Sequence, residues 1–108
     1  MTESQFLRNV ETTLAQIETA LDDADVAADC ELSALVLTIE FEDGAKIVVN
    51  GQAPMQQLWL AARSGAMHFA FRDGRWFDVR SGAEFFEALS RIVSAQIGRR
   101  VELVSPSP

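Results

Sequence analysis

The chain of 108 residues has one cysteine, one histidine and three prolines. A lone Cys30 excludes an internal disulfide, so the fold must stand on its core, and this usage suits a reducing compartment. Cys30 reads as a small strand residue, because no histidine or helix N-terminus lies near it in sequence to activate a thiol. No apolar run approaches the ~20 residues of a membrane span. The polar, acidic start Met1-Thr2-Glu3-Ser4-Gln5 resembles neither a secretory signal nor an Arg-rich transit peptide, which leaves the cytoplasm as the expected compartment. Positive charge is scarce: 9 Lys and Arg stand against 16 Asp and Glu, a net charge of −7. Nucleic acid is therefore excluded as a partner, and cations or a basic protein surface are favoured. No nucleophile–base pair, phosphate-cradling glycine loop or basic aromatic patch is present.

What remains is a clear alternation of periods. Phe6, Val10, Leu14, Ile17 and Leu21 recur at spacings of three and four, which predicts an amphipathic helix over residues 4–21 with Thr2 and Gln5 at capping-box spacing. From Cys30 the period becomes two. Short strands are predicted at 30–32, 35–41, 45–50, 57–62, 67–71 and 75–79, joined by turns. Residues 51–54, ending in Pro54, read as a break between strands. In the last strand either Trp76 or the Phe77 and Val79 pair can face the core. Ser81-Gly82-Ala83-Glu84 has capping-box spacing and opens a helix through Phe85, Leu89, Val93 and Ile97, with Gly98 as its stop and Arg99-Arg100 suited to its C-terminus.

Each helix has one apolar stripe, and the strands need cover on one face. The expected fold is α+β: a two-layer α/β sandwich, with both terminal helices on one face of a single antiparallel sheet of about six strands. One domain is expected over residues 1–104, followed by a disordered tail at 105–108. The other sheet face is then wet. Leu58 and Leu60 take the core side, which turns Gln57, Trp59 and Ala61 outward and leaves a large aromatic on the uncovered face.

The acids are not scattered. Glu11, Glu18 and Asp22 project together, roughly 90° from the apolar stripe. The file continues through Asp23, Asp25, Asp29 and Glu31, and no Lys or Arg occurs between Arg8 and Lys46. Carboxylates are hard oxygen donors, suited to Fe²⁺, Fe³⁺, Mn²⁺, Mg²⁺ and Ca²⁺. Without histidine or cysteine beside them, they are expected to form several weak, exchangeable, poorly selective sites.

The stretch Val49-Asn50-x-Gln52-x-Pro54-x-x-Gln57-Leu58-Trp59-Leu60-Ala61 resembles the frataxin signature. The acidic first helix, the strand pattern, and Trp76 followed by Ser81-Gly82 and a helix agree with that family in order and spacing. The length is similar to that of the bacterial members. The resemblance implies a role in iron–sulfur cluster assembly. It implies iron, as Fe²⁺ and Fe³⁺, held weakly by Glu11, Glu18, Asp22, Asp23, Asp25, Asp29 and Glu31. It also implies docking on the cysteine desulfurase and its scaffold protein, with Asn50, Gln52, Gln57 and Trp59 sharing the partner-binding sheet surface. A monomer is the simplest state, and iron-induced oligomers are a further expectation. The sequence departs from the family pattern at Gly51, where many members carry a larger, often basic residue. It departs again at Ala70, where an acid is frequent, and His68 stands where eukaryotic members tend to have a basic residue. His68 reads as a surface structural residue in preference to a metal ligand. An alternative to the adaptor reading is a ferroxidase or iron-storage protein, suggested by carboxylate density and opposed by the lack of a Glu-x-x-His di-iron arrangement.

Overall fold

The computed structural model describes residues 1–105. Among them, the elements are α1 (Glu3–Asp23), six strands β1 (Ala28–Ser33), β2 (Val36–Phe41), β3 (Lys46–Gln52), β4 (Gln57–Ala62), β5 (Gly65–Arg72) and β6 (Arg75–Asp78), and α2 (Phe85–Ile97). Each strand pairs antiparallel with the next, in the order β1-β2-β3-β4-β5-β6. Both helices pack on one face, as the two apolar stripes require. Phe6, Val10, Leu14, Ile17 and Leu21 of α1 are buried with Leu37, Ile39, Val49, Leu58, Leu60 and Phe69 of the sheet and Phe85, Leu89 and Val93 of α2.

The capping box at the start of α1 is complete: the Thr2 hydroxyl accepts from the Gln5 amide at 3.1 Å and the Gln5 side chain accepts from the Thr2 amide at 2.8 Å. The second expected box is not formed. Glu84 is the N-cap of α2, its carboxylate accepting from the amides of Phe86 and Glu87. Ser81 is drawn away by Asp78, whose carboxylate takes both its amide, at 2.9 Å, and its hydroxyl, at 2.7 Å. A buried carboxylate needs those donors more than the helix needs that particular cap.

Several boundaries also move, among them the start of β5, which begins at Gly65, two residues before its predicted start. β1 starts at Ala28, two residues earlier than its period announces. β3 runs through Gly51 to Gln52, and the break falls on a short 3₁₀ turn, Ala53–Met55, with Pro54 in its first turn, where a missing amide costs nothing. β6 ends at Asp78: Trp76 and Asp78 face the core, Phe77 faces out, and Val79 is 53% exposed beyond the strand.

Arg99 is not used by its own helix. Its guanidinium donates to the carbonyls of Ala24 and Asp25 at 3.3 and 2.8 Å, closing the end of α1, whose last turn has no basic residue. After Gly98, residues 101–103 run back along α2 without regular secondary structure. Ser94 and Ser90, one turn apart, exchange hydrogen bonds with the backbone of Val101 and Leu103. Of the expected tail 105–108, Ser105 is half-buried without regular structure, and residues 106–108 lie outside the described residues.

Candidate functional site

The uncovered sheet face gathers the four amide and aromatic positions into one block. Antiparallel register sets Asn50 opposite Trp59 and Gln52 opposite Gln57, so the four are two adjacent cross-strand pairs on β3 and β4. All four are half-buried. Gln57 Oε1 accepts the Trp59 indole N–H at 2.9 Å, and Gln52 Nε2 donates to Asn50 Oδ1 at 3.4 Å. These bonds fix the orientation of the indole and of the Asn50 and Gln52 amides.

Two residues that were not assigned to this block from sequence belong beside it. His68 pairs with Trp59 in the β4–β5 register and stacks on it, with 4.2 Å between ring centroids and 11° between planes. Phe77 pairs with Ala70 in the next row, and the guanidinium of Arg72 stands 4.4 Å from the centre of its ring. A bulky acid at position 70 would stand in the row between Gln57 and Phe77, and Ala70 keeps that position small.

Gly51 is not on this face. Between Asn50 and Gln52 its Cα side points at α1, and a Cβ there would lie 2.9 Å from Val10 Cγ1. Its departure from the family pattern concerns how closely helix and sheet approach, not what the outer face presents.

The acids lie on α1, on the turn after it and on the edge strand β1, on two levels. Glu11, Glu18, Asp22 and Asp23 lie along α1, and Asp25 follows in a left-handed turn, φ 55°. Asp29 and Glu31 lie on β1, where Cys30 pairs with buried Ile39 and so turns toward the helices, leaving its two neighbours on the uncovered side. The expected single file is therefore split by the edge of the sheet, with Cys30 between its two halves. Partial burial, then the carboxylates of Glu18 and Asp29, raise the Cys30 thiol above its ordinary value, which makes it a poor nucleophile and a poor ligand at neutral pH.

Among the described residues, none of the seven carboxylates is in an ion pair; the pair that forms joins exposed Arg100 and Glu102 at 3.8 Å. Nor are three or more His, Cys, Asp or Glu side chains gathered closely enough there to enclose a metal ion. The donor set is all oxygen and dispersed over an exposed edge. That chemistry admits hard cations bound through shared water and gives no enclosed coordination sphere. No helix among these residues is long and apolar enough to cross a membrane.

Comparison with known proteins agrees with the shape and with the signature. The frataxin-like domain family matches residues 1–99. An iron-sulfur cluster assembly protein CyaY from Paraburkholderia phymatum is 52% identical over 103 residues, covering 95% of this chain and 98% of that protein. The protein of that name from Neisseria meningitidis is 44% identical, covering 95% and 96%. Among solved structures, a frataxin from Psychromonas ingrahamii superposes with a TM-score of 0.90 at 31% identity, covering 96% of this chain and 99% of that one. A trimeric frataxin from the yeast Saccharomyces cerevisiae, described as complexed with ferrous iron, gives 0.71 at 30% identity, covering 84% and 87%. The family match spans most of the sequence, and the relatives are matched over nearly their whole length, so the chain belongs to the frataxin family.

Proposed function

We propose that this protein is a cytoplasmic, non-enzymatic adaptor of iron–sulfur cluster assembly. It holds iron weakly along the acid edge of α1 and β1, at Glu11, Glu18, Asp22, Asp23, Asp25, Asp29 and Glu31. It docks on the cysteine desulfurase and its scaffold protein, the desulfurase meeting the carboxylates and the scaffold meeting Asn50, Gln52, Gln57 and Trp59. The observation that carries this reading is that one fold presents two distinct polar surfaces, one on α1 and β1 and the other on β3 and β4. One is a run of carboxylates without ion pairs, and the other is a fixed indole framed by amides. The naming of the bacterial relatives as iron–sulfur cluster assembly proteins supports the process. The ferrous complex of the yeast protein supports the metal.

Because iron and a basic protein surface would draw on the same carboxylates, the two compete. Charge reversal of Asp22, Asp23 and Asp25 to lysine is expected to abolish desulfurase binding in a pull-down at low salt, and binding by the parent protein is expected to weaken as salt rises. Unchanged binding by the triple variant defeats the electrostatic account. A residue-by-residue NMR titration with iron then maps broadening onto the acid edge if the metal half of the proposal is right. Oxidation of Fe²⁺ no faster than in a protein-free control is the outcome that separates an adaptor from a ferroxidase.

A further inference from the structure

The edge strand β1 offers more than its charges. Among the described residues it has one sheet neighbour, β2, and it is exposed from Asp29 to Ser33. Its backbone orientation follows from the ladder beyond it. The Phe41 amide donates to the Ala45 carbonyl and the Gly51 amide donates to the Leu35 carbonyl, so the odd-numbered residues of β2 address β3. Alternate residues of an antiparallel strand address opposite neighbours. Val36, Thr38 and Glu40 therefore address β1, and their partners Ser33, Glu31 and Asp29 return those bonds. Ala28, Cys30 and Leu32 are left with their N–H and C=O groups aimed away from the sheet.

We infer that β1 accepts an added strand: an extended segment of another protein in which basic and apolar residues alternate. The two sides of the edge select that pattern. On the uncovered side an incoming strand meets Asp29 and Glu31, with Glu40 of β2 beside Asp29 on the next strand. On the helix side it meets the Cys30 side chain, accessible at the strand edge though partly screened from water, and Leu32, 49% exposed. A side chain on every second residue of the added strand reaches the carboxylates, and those between cover the thiol and the leucine. A second copy of this chain is the wrong occupant, because antiparallel pairing of β1 with itself sets Asp29 and Glu31 against their own counterparts. The edge thus repels its own kind and admits bases.

The inference rests on the reading of the acid edge as a docking surface for a basic protein, and adds that the main chain takes part. It is tested with the full-length ¹⁵N-labelled protein and a blocked hexapeptide of alternating lysine and valine. Binding is expected to slow amide exchange at Ala28, Cys30 and Leu32 and to give cross-strand contacts to them. The same peptide N-methylated at the residues that face the sheet keeps its charge but loses its donors, and should bind at least tenfold more weakly. A glutamate–valine peptide should not bind. Equal affinity of the methylated and parent peptides, no slowing at those three amides, or no binding by the parent peptide overturns the strand addition. Charge reversal at Asp22, Asp23 and Asp25, which lie off β1, tests the docking reading separately. Equal binding of the two peptides removes only the ladder and leaves that reading in place.

Discussion

The indole of Trp59 lies flat on the imidazole of His68, at 4.2 Å and 11°, on the sheet face that no helix covers. The other tryptophan has the opposite surroundings. Trp76 is 3% exposed, donates its N–H to the Thr13 hydroxyl of α1 at 2.8 Å, and meets Phe6 and Phe71 edge to face. One indole tops the sheet, and the other pins its last strand to the first helix.

Truncating each to alanine should separate those roles. Trp59→Ala is expected to cost no more than about 1 kcal/mol, since it removes a half-buried surface stack and leaves Gln57 free to bond water. Trp76→Ala is expected to cost about 3–5 kcal/mol, because it opens a cavity and takes away the indole partner of the buried Thr13 hydroxyl. Urea unfolding curves give both numbers. A Trp59 variant that fails to fold would return that side chain to the core.

The faces of the strands were legible because the period of two is strict from Leu37 to Phe41 and from Gln57 to Leu60, and the register then carries Trp59 outward whatever the neighbouring turns do. The β4–β5 partner was harder to read. The strands predicted at 57–62 and 67–71 leave four residues between them, but Ala62 pairs with Gly65, so the loop has two. One residue in loop length shifts every partner by one and exchanges the faces, and only the shorter loop sets His68 against Trp59. In the last strand, Trp76 and Phe77 are both large and apolar, and hydrophobicity alone could not choose. The bond to Thr13, 63 residues away, chose Trp76. Ser81 was misread for a similar reason, since its local spacing is that of a cap and the competing acceptor, Asp78, precedes it on a strand. The seven acids could be read as unneutralised but not as divided between helix and sheet, which needs the orientation of Cys30 at the edge.

Gly51 sets how closely α1 approaches β3. With a Cβ at 2.9 Å from Val10 Cγ1 and 3.1 Å from Cγ2, Gly51→Ala should destabilise by about 1–3 kcal/mol, the cost of overpacking a well-filled contact. Val10→Ala in the same chain should recover part of that loss, giving a positive coupling in a double-mutant cycle followed by thermal unfolding. Additive effects would mean that the helix shifts as a body instead of meeting the new methyl.

Asp78 makes the fold sensitive to acid. Burial raises its carboxyl, but the Ser81 hydroxyl and the amides of Ser81, His68 and Arg80 outweigh this and hold it below the ordinary aspartate value. A carboxyl lowered in the folded state contributes stability that is fully present above the unfolded value near ~4, and that is lost as pH falls through the folded value. Asp78→Asn should therefore cost about 1–3 kcal/mol at pH 7, and the gap to the parent should narrow below about pH 4. Asp43, also lowered by the Ala45 amide and Gln96, remains in both proteins and cancels from the difference. A gap that stays constant down to pH 2 would place the value of Asp78 in shape, not charge.

The acid edge should trade stability for charge. Asp22 and Asp23 stand in the last turn of α1, where the helix dipole and their neighbours both oppose negative charge, and Arg99 reaches the backbone carbonyls of Ala24 and Asp25 there, not a carboxylate. Exposed charges interact over a Debye length of about 8 Å at 0.15 M salt and about 3 Å at 1 M. Raising sodium chloride should therefore raise the melting temperature, and calcium at equal ionic strength should raise it further, by binding the folded state through oxygen ligands. Asp22→Asn with Asp23→Asn should melt higher than the parent at low salt, by on the order of 2 °C per acid removed, and respond less to both additions. Calorimetry of the two proteins across salt and calcium decides this. If the melting temperature of the parent is indifferent to both, the carboxylates lie too far apart to repel, and the same spacing would leave an incoming cation nothing to gain from bridging them.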